Sequence, residues 1–154
     1  MVDHQPQPPR RLNLLLSYSG WRQSDALSQL AKLLAPRGID CFTADTGEEA
    51  TEVIQRMAVH IAVIDWGIPL RGTTTDAPPA GGRILSLLRR AEPTPPTIIV
   101  RPPQATARES ARGLSDALRE GAFAVVDRPV QLETLLEVMR RAVRRHYADH
   151  WPAA

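Results

Sequence analysis

The chain has 154 residues, of which 43% are hydrophobic and 23% are charged, and its formal net charge is +2. These values are ordinary for a soluble globular protein, and the length suits one domain with its own core. A charge this small gives no indication of nucleic-acid binding. The arginine run near the C-terminus is typical of a solvated helix face, with binding of a nucleic acid or an acidic partner as the alternative; it consists of Arg140, Arg141, Arg144 and Arg145.

The two ends of the chain differ in composition from its middle. Residues 1–10 are polar and proline-rich, which predicts a disordered lead, and residues 147–154 are predicted to form a tail. We see no signal peptide and no apolar stretch of the roughly 18 residues that span a membrane. The single cysteine, Cys41, lies in an apolar run and resembles a small buried hydrophobe. We therefore expect a cytoplasmic protein with one domain over residues 11–146.

Short apolar runs alternate with helical patterns along the chain. The predicted strands are Leu12–Ser17, Ile39–Ala44, Ile61–Ile64, Thr97–Val100 and Phe123–Val126. Each strand is followed by an apolar stripe at helical spacing. The stripes are Leu27, Leu30, Ala31 and Leu34; Ala50, Val53, Ile54 and Met57; Ile84, Leu87 and Leu88; Ala107, Ala111, Leu114 and Leu118; and Leu132, Leu135, Leu136, Met139 and Val143. This alternation predicts an α/β fold with a doubly wound, five-stranded parallel sheet.

Functional groups of such a sheet collect where its strands end. The predicted carboxyl ends are Ser17–Tyr18–Ser19, Asp65, Arg101 and Asp127–Arg128. Long loops at 70–82 and 101–106 leave the same edge, where loops commonly bind ligands. The histidines lack metal-ligand spacing, and we find neither a Walker-type phosphate loop nor a nucleophile–histidine–acid arrangement. We therefore expect no catalytic residues and no bound metal.

Three segments resemble the receiver domain of two-component response regulators. Ile61-Ala-Val-Ile-Asp65-Trp-Gly-Ile-Pro69 is similar to the family's third strand, in which the phospho-accepting aspartate precedes a proline by four residues. Ala117-Leu-Arg-Glu-Gly-Ala-Phe-Ala-Val-Val-Asp-Arg128-Pro129 is similar to the family's fifth strand and its lysine–proline pair. Thr46-Gly-Glu-Glu-Ala50 resembles the start of the second helix. The resemblance covers residues 11–146 and implies the flavodoxin-like (βα)5 topology of receivers.

The same resemblance indicates site residues, and most of them depart from the family pattern. Asp65 occupies the phospho-acceptor position. Receivers hold magnesium with an acidic pair after strand one, where this chain has Ser17 and Tyr18. Arg101 stands at the hydroxyl position that ends strand four, and Arg128 replaces the lysine.

These replacements weaken the case for phosphorylation by the usual route. Phosphoryl transfer depends on neutralising charge, which magnesium normally supplies, and magnesium is normally held by carboxylates. A cation ~4 Å from Asp65 would attract it by about 4 kcal/mol at an effective dielectric constant of about 20 and would compete with the metal. We predict that Arg101 or Arg128 pairs with Asp65 through its planar guanidinium group.

The resemblance implies a role in signalling rather than catalysis. We expect an atypical stand-alone receiver, or pseudo-receiver, that acts as a protein-interaction module without a cofactor. Its partner would be a histidine kinase or a downstream effector. The implied docking or homodimer face is built from helix four, strand five and helix five, including parts of 106–119 and 132–145. Neither a membrane nor a nucleic acid is expected as a partner.

Two other functions remain open at the level of sequence. The first is a working receiver that accepts phosphate on Asp65 from a histidine kinase, with Mg²⁺ as its cofactor. The second rests on Leu14-Leu-Leu-Ser-Tyr-Ser-Gly20 and Gly38-Ile-Asp-Cys-Phe42, which resemble the opening of a TIR domain. Some TIR domains hydrolyse NAD, so this resemblance implies an enzyme.

Overall fold

A parallel sheet forms the centre of the protein. The computed structural model describes residues 11–17, 26–71, 79–101, 105–128 and 130–147. The strands are β1 (Leu12–Ser17), β2 (Ile39–Ala44), β3 (Ile61–Asp65), β4 (Thr97–Arg101) and β5 (Ala124–Asp127). They form one sheet in the order β2-β1-β3-β4-β5, and all neighbouring strands are parallel. The predicted fold class is confirmed.

Helices cover both faces of the sheet. They are α1 (Ala26–Leu34), α2 (Gly47–Arg56), α3 (Gly81–Arg89), α4 (Ala107–Arg119) and α5 (Leu132–Tyr147). Helices α1 and α5 pack in one hydrophobic cluster and α2, α3 and α4 in the other. Helix α5 includes Tyr147, one residue beyond the predicted end of the domain. Among the described residues, the helices are too short or too polar to cross a membrane.

The central strands are buried on both faces, which explains their uninterrupted apolar sequences. Every residue of β3 and of β4 is buried. In β1, Leu14 and Leu16 face the α1–α5 cluster, whereas Leu15 faces the opposite cluster, as the two-residue period of a strand requires. Cys41 in β2 is partly buried, and burial raises the pKa of its thiol to about 11. A neutral thiol of this kind is chemically inert at pH 7.

Two helices begin with side-chain caps. The Thr46 hydroxyl accepts a hydrogen bond from the Glu49 amide at 3.1 Å, as expected of an N-cap threonine. The Glu49 carboxylate accepts from the amide of Asp45, at 2.7 Å. Thr106 caps α4 through the amide of Glu109 at 3.1 Å, a capping site that our reading of the sequence did not include.

The predicted core stripe of α4 is wrong. Ala107 and Ala111 are exposed, and Leu114 and Leu118 are 38% and 46% exposed. The helix buries only Ala117 and places the small residues Ser110 and Gly113 toward the sheet. The physical reason is the buried arginine at the end of β4, Arg101, whose guanidinium donates to both oxygens of Ser110 at 2.8 and 2.7 Å. These charge-assisted hydrogen bonds orient α4 against its own apolar periodicity.

His60 connects β1 with helix α5 at the end of the sheet opposite the carboxyl ends of the strands. Its ring Nδ1 accepts a hydrogen bond from the Asn13 amide at 2.8 Å, so this nitrogen carries no proton. Its carbonyl accepts from the Tyr147 hydroxyl at 2.7 Å, which attaches the end of α5. Burial lowers the pKa of His60 from its ordinary value of 6.5. The folded protein therefore favours the neutral imidazole.

We expect the free energy of unfolding to decrease as the pH falls below 6.5, the ordinary pKa of His60. In that range the unfolded chain binds a proton at His60 that the folded chain does not, so acid favours unfolding until the lower folded pKa is passed. Urea denaturation between pH 7.5 and 5 measures this effect. The variant His60→Asn keeps an acceptor for Asn13 but does not titrate, so its stability should depend less on pH; an equal slope in both proteins would contradict the assignment.

Candidate functional site

The predicted site residues lie at one edge of the sheet. Ser17, Asp65 and Arg101 are the last residues of β1, β3 and β4, and Arg128 directly follows β5. In the strand register, Asp65 is opposite Val100 and Arg101 is opposite Asp127. Tyr18 lies outside the described residues, as do Ser19 and Gly20 of the TIR-like segment.

Asp65 is fully buried, and both of its carboxylate oxygens are engaged. Its Oδ1 accepts a hydrogen bond from the Gly67 amide at 2.8 Å. Its Oδ2 forms an ion pair with Nη2 of Arg128. A buried carboxylate needs such compensation because its charge has lost the solvation of water. The negative charge at the acceptor position is thus balanced within the protein.

Arg128 is the cation of the predicted pair. Its side chain is 26% exposed, and its backbone amide donates to the Arg101 carbonyl at 3.0 Å, which places it beside the ends of β3 and β4. Burial lowers the pKa of the Arg128 guanidinium, because desolvation disfavours the charged form. An arginine nonetheless stays protonated in proteins, so the pair consists of two full charges.

Arg101, the other predicted partner of Asp65, is bound elsewhere. Its Nε donates to Oδ1 of Asp127 at 2.5 Å, and its two terminal nitrogens donate to Ser110. The side chain is therefore directed toward α4. Gly113 lies opposite it, and a Cβ at that position would make a tight contact of 3.1 Å with Nη1 of Arg101. Our expectation that Arg101 competes with a metal at Asp65 is corrected: Arg128 alone of the two takes that position.

Among the described residues, the donor atoms around Asp65 do not form a set that suits a magnesium ion. Ser17 is fully buried, and its hydroxyl oxygen has no hydrogen-bond partner among the described residues, so one neutral oxygen is available. The Asp65 oxygens are already held by an amide and a guanidinium. Within the described ranges, no three histidine, cysteine, aspartate or glutamate side chains are grouped as metal ligands. Mg²⁺ requires an octahedral set of oxygens, usually including a free carboxylate.

Trp66 packs against the start of α3. A Cβ on Gly81 would lie 2.6 Å from the Trp66 carbonyl oxygen, and one on Gly82 would lie 3.4 Å from the indole ring. The close approach of the Trp66 backbone therefore requires a glycine at position 81, whereas the indole makes an ordinary contact at position 82.

Sequence reasoning missed the two residues that hold Arg101. Asp127 was placed at the edge of the sheet without a role, and Ser110 was not considered. The strand alternation carried a usable signal for Asp127: adjacent residues of a strand point to opposite faces, so Asp127 and Arg128 could not both contact Asp65. No comparable signal identifies Ser110, because its position depends on how α4 is oriented.

Comparison with known proteins supports the predicted resemblance. No protein-family profile matches the chain. A response regulator receiver protein from Anaeromyxobacter sp. (strain Fw109-5) is 27% identical over 114 residues, which cover 74% of this chain. The match covers 42% of that relative, so this chain spans less than half its length.

Solved receiver domains share the fold. The signal receiver domain of a LuxO repressor protein from Vibrio parahaemolyticus superposes with a TM-score of 0.69 at 16% identity, covering 91% of this chain and 95% of that one. A CheY-like receiver domain protein from Methanospirillum hungatei JF-1 gives 0.67 at 20% identity, covering 91% and 99%. Identities this low show the fold alone. The chain thus has a receiver fold, and its resemblance to response-regulator receivers is confirmed.

The pair of Asp65 and Arg128 should be visible in a double-mutant cycle. Arg128→Met leaves a buried carboxylate without a cation, and we expect it to lower the free energy of unfolding by about 3 kcal/mol. Adding Asp65→Asn removes the charge while keeping the acceptor for Gly67, so the double variant should regain at least half of that loss. Urea denaturation measures all four proteins. Simple additivity of the two single changes would show that the residues do not interact.

Proposed function

We propose that this chain is an atypical receiver of two-component signalling that acts as a protein-interaction module and does not depend on phosphorylation at Asp65. The receiver fold and the curated relative support the general role. The ion pair between Asp65 and Arg128 carries the specific proposal. The Arg128 guanidinium supplies the positive charge beside Asp65 that a bound metal ion would supply in a phosphorylated site.

The pair opposes phosphorylation in two ways. A phosphoryl acceptor must offer a free carboxylate oxygen to the incoming phosphorus, whereas both Asp65 oxygens are engaged. The phosphoryl group also adds negative charge, and within the described residues no three histidine, cysteine, aspartate or glutamate side chains are grouped to bind a compensating Mg²⁺. At ~4 Å and an effective dielectric constant of about 20, the attraction that would have to be disrupted is about 4 kcal/mol.

The exposed stripe of α4 supports an interaction role. Ala107, Ala111, Leu114 and Leu118 form a continuous apolar row on the outer side of the helix. Contiguous exposed apolar surface often marks a site of protein association. We propose that this α4 stripe contributes to docking on a kinase or effector, or on a second copy of the chain. It belongs to the face of α4, β5 and α5 that the receiver resemblance implies.

Phosphorylation can be tested directly at Asp65. We expect acetyl phosphate or beryllofluoride, each with 10 mM Mg²⁺, to produce neither an added mass nor Mg²⁺-dependent shifts of the Trp66 and Gly67 amide signals in a ¹H–¹⁵N spectrum. The physical reason is that Asp65 is already neutralised by Arg128. Intact mass spectrometry must be run at low temperature, because acyl phosphates hydrolyse.

The control separates specific from adventitious modification. Asp65→Asn keeps the hydrogen bond to Gly67 but cannot form an acyl phosphate. A Mg²⁺-dependent modification that is present in the parent protein and absent from Asp65→Asn would establish a working phospho-acceptor and overturn the proposal.

The exposure of the α4 stripe makes a separate prediction about stability. Leu114→Gln and Leu118→Gln should each change the free energy of unfolding by less than about 0.5 kcal/mol, because both side chains are at the surface. Leu88→Gln on α3 is the matched control, since Leu88 is buried and its replacement should cost about 2–5 kcal/mol. Urea denaturation distinguishes the outcomes. If either variant lost as much free energy of unfolding as Leu88→Gln, the stripe would be part of the core and the proposed docking surface would be refuted.

A further inference from the structure

A cavity of about 290 Å³ lies between α4 and the sheet. Its apolar wall is formed by Trp66, Ile99, Ala117 and Val125. The cavity persists because α4 rests on the sheet through small residues and through Arg101 rather than through large apolar side chains. Its volume is at the low end of the ~300–1,000 Å³ of small-molecule sites, which suits a ligand of one ring.

Negative side chains outnumber positive ones in the cavity. Asp116 and Glu120 line it one helical turn apart, and both are exposed to solvent. Arg101 also lines it, but its charge is matched by Asp127 in a direct ion pair. Within the part of the chain that the structure describes, neither Asp116 nor Glu120 forms a salt bridge. The cavity therefore carries two carboxylates in excess.

We propose that this cavity binds a small organic cation with an apolar body, such as an arylamidinium or arylammonium group. The ring of the ligand would lie against Ile99, Val125 and the indole of Trp66, and its cationic end would face Asp116 and Glu120. Aromatic rings pack favourably against one another, and an amidinium can donate paired hydrogen bonds to a carboxylate. Anions are repelled by the two acidic side chains, and a neutral ligand gains only the apolar contact.

This binding site is independent of the proposed function, because none of its ligand-contacting groups is Asp65 or Arg128. The cationic group could belong to a free small molecule or to an arginine or lysine side chain of a docked protein. The chemistry is the same in both cases. Failure to bind a cation would leave the conclusion about phosphorylation untouched.

Binding can be measured with benzamidinium as the probe. We expect saturable shifts of the Trp66 indole N–H and of the Ile99 and Val125 methyl groups in NMR spectra, with a dissociation constant on the order of 1 mM for so small a ligand. Benzamide has the same shape without the charge, and benzoate has the opposite charge. We expect benzamide to bind about tenfold more weakly and benzoate not to bind. Equal affinity for all three would overturn the charge argument.

Variants place the binding in this cavity. Asp116→Asn combined with Glu120→Gln removes both carboxylates at exposed positions, so the fold should be retained and benzamidinium affinity should fall about tenfold. Glu133→Gln combined with Glu137→Gln removes two exposed carboxylates from α5 and should leave affinity unchanged. Equal losses in the two double variants would show only general attraction to a more acidic protein and would refute the site.

The source of the cation is then tested with two ligands of equal charge. Acetyl-arginine-amide represents a protein side chain, and benzamidinium represents a free aryl cation. Tighter binding of benzamidinium would indicate a small-molecule site, and tighter binding of the arginine derivative would indicate an anchor site for a partner protein. Binding of neither would refute the proposal, provided that the Trp66 signal is observed.

Discussion

A fully buried carboxylate at the end of the central strand β3 must have a positive partner. The arrangement of the other side chains at the carboxyl ends of the strands follows from how that requirement is met. The charge of Asp65 is balanced by Arg128, which directly follows β5. This partner belongs to the same polypeptide chain and is therefore always present, unlike a metal ion. The negative charge of Asp65 is therefore balanced within the protein. Any new contact to the Asp65 carboxylate would first have to disrupt its ion pair with Arg128.

The second arginine shows how the same edge acquires a separate structural role. Arg101 belongs to the strand between those of Asp65 and Arg128, yet it turns to Asp127 and Ser110 on the α4 side. Because Asp127 and Arg128 are adjacent in sequence, they project to opposite sides of the sheet. Each arginine thus obtains its own carboxylate, and the two pairs connect the ends of three strands. The pair of Asp65 and Arg128 is the more deeply buried of the two, since the Asp127 side chain is 55% exposed.

The strands and the overall topology could be predicted because the buried strands are continuous apolar runs separated by clear turns. The carboxyl edge followed from the topology, and the pairing of Asp65 with an arginine followed from charge. The choice between Arg101 and Arg128 could not be made, because it depends on side-chain direction at the ends of β4 and β5. The α4 stripe was misplaced for a related reason. Periodicity identifies an apolar face, but it does not reveal that two hydrogen bonds from Arg101 to Ser110 will turn that face outward.

Helix α4 is consequently attached in a way that differs from its neighbours. Helix α3 buries large side chains such as Ile84 and Leu88, whereas α4 buries one alanine and is held by a polar contact near its first turns. A polar contact at one point fixes orientation without filling space, so a cavity remains beneath the helix and an apolar row remains above it. The arginine at the end of β4 therefore has consequences beyond the surroundings of Asp65. Its polar contact takes the place of apolar packing under α4 and leaves the cavity and the exposed row.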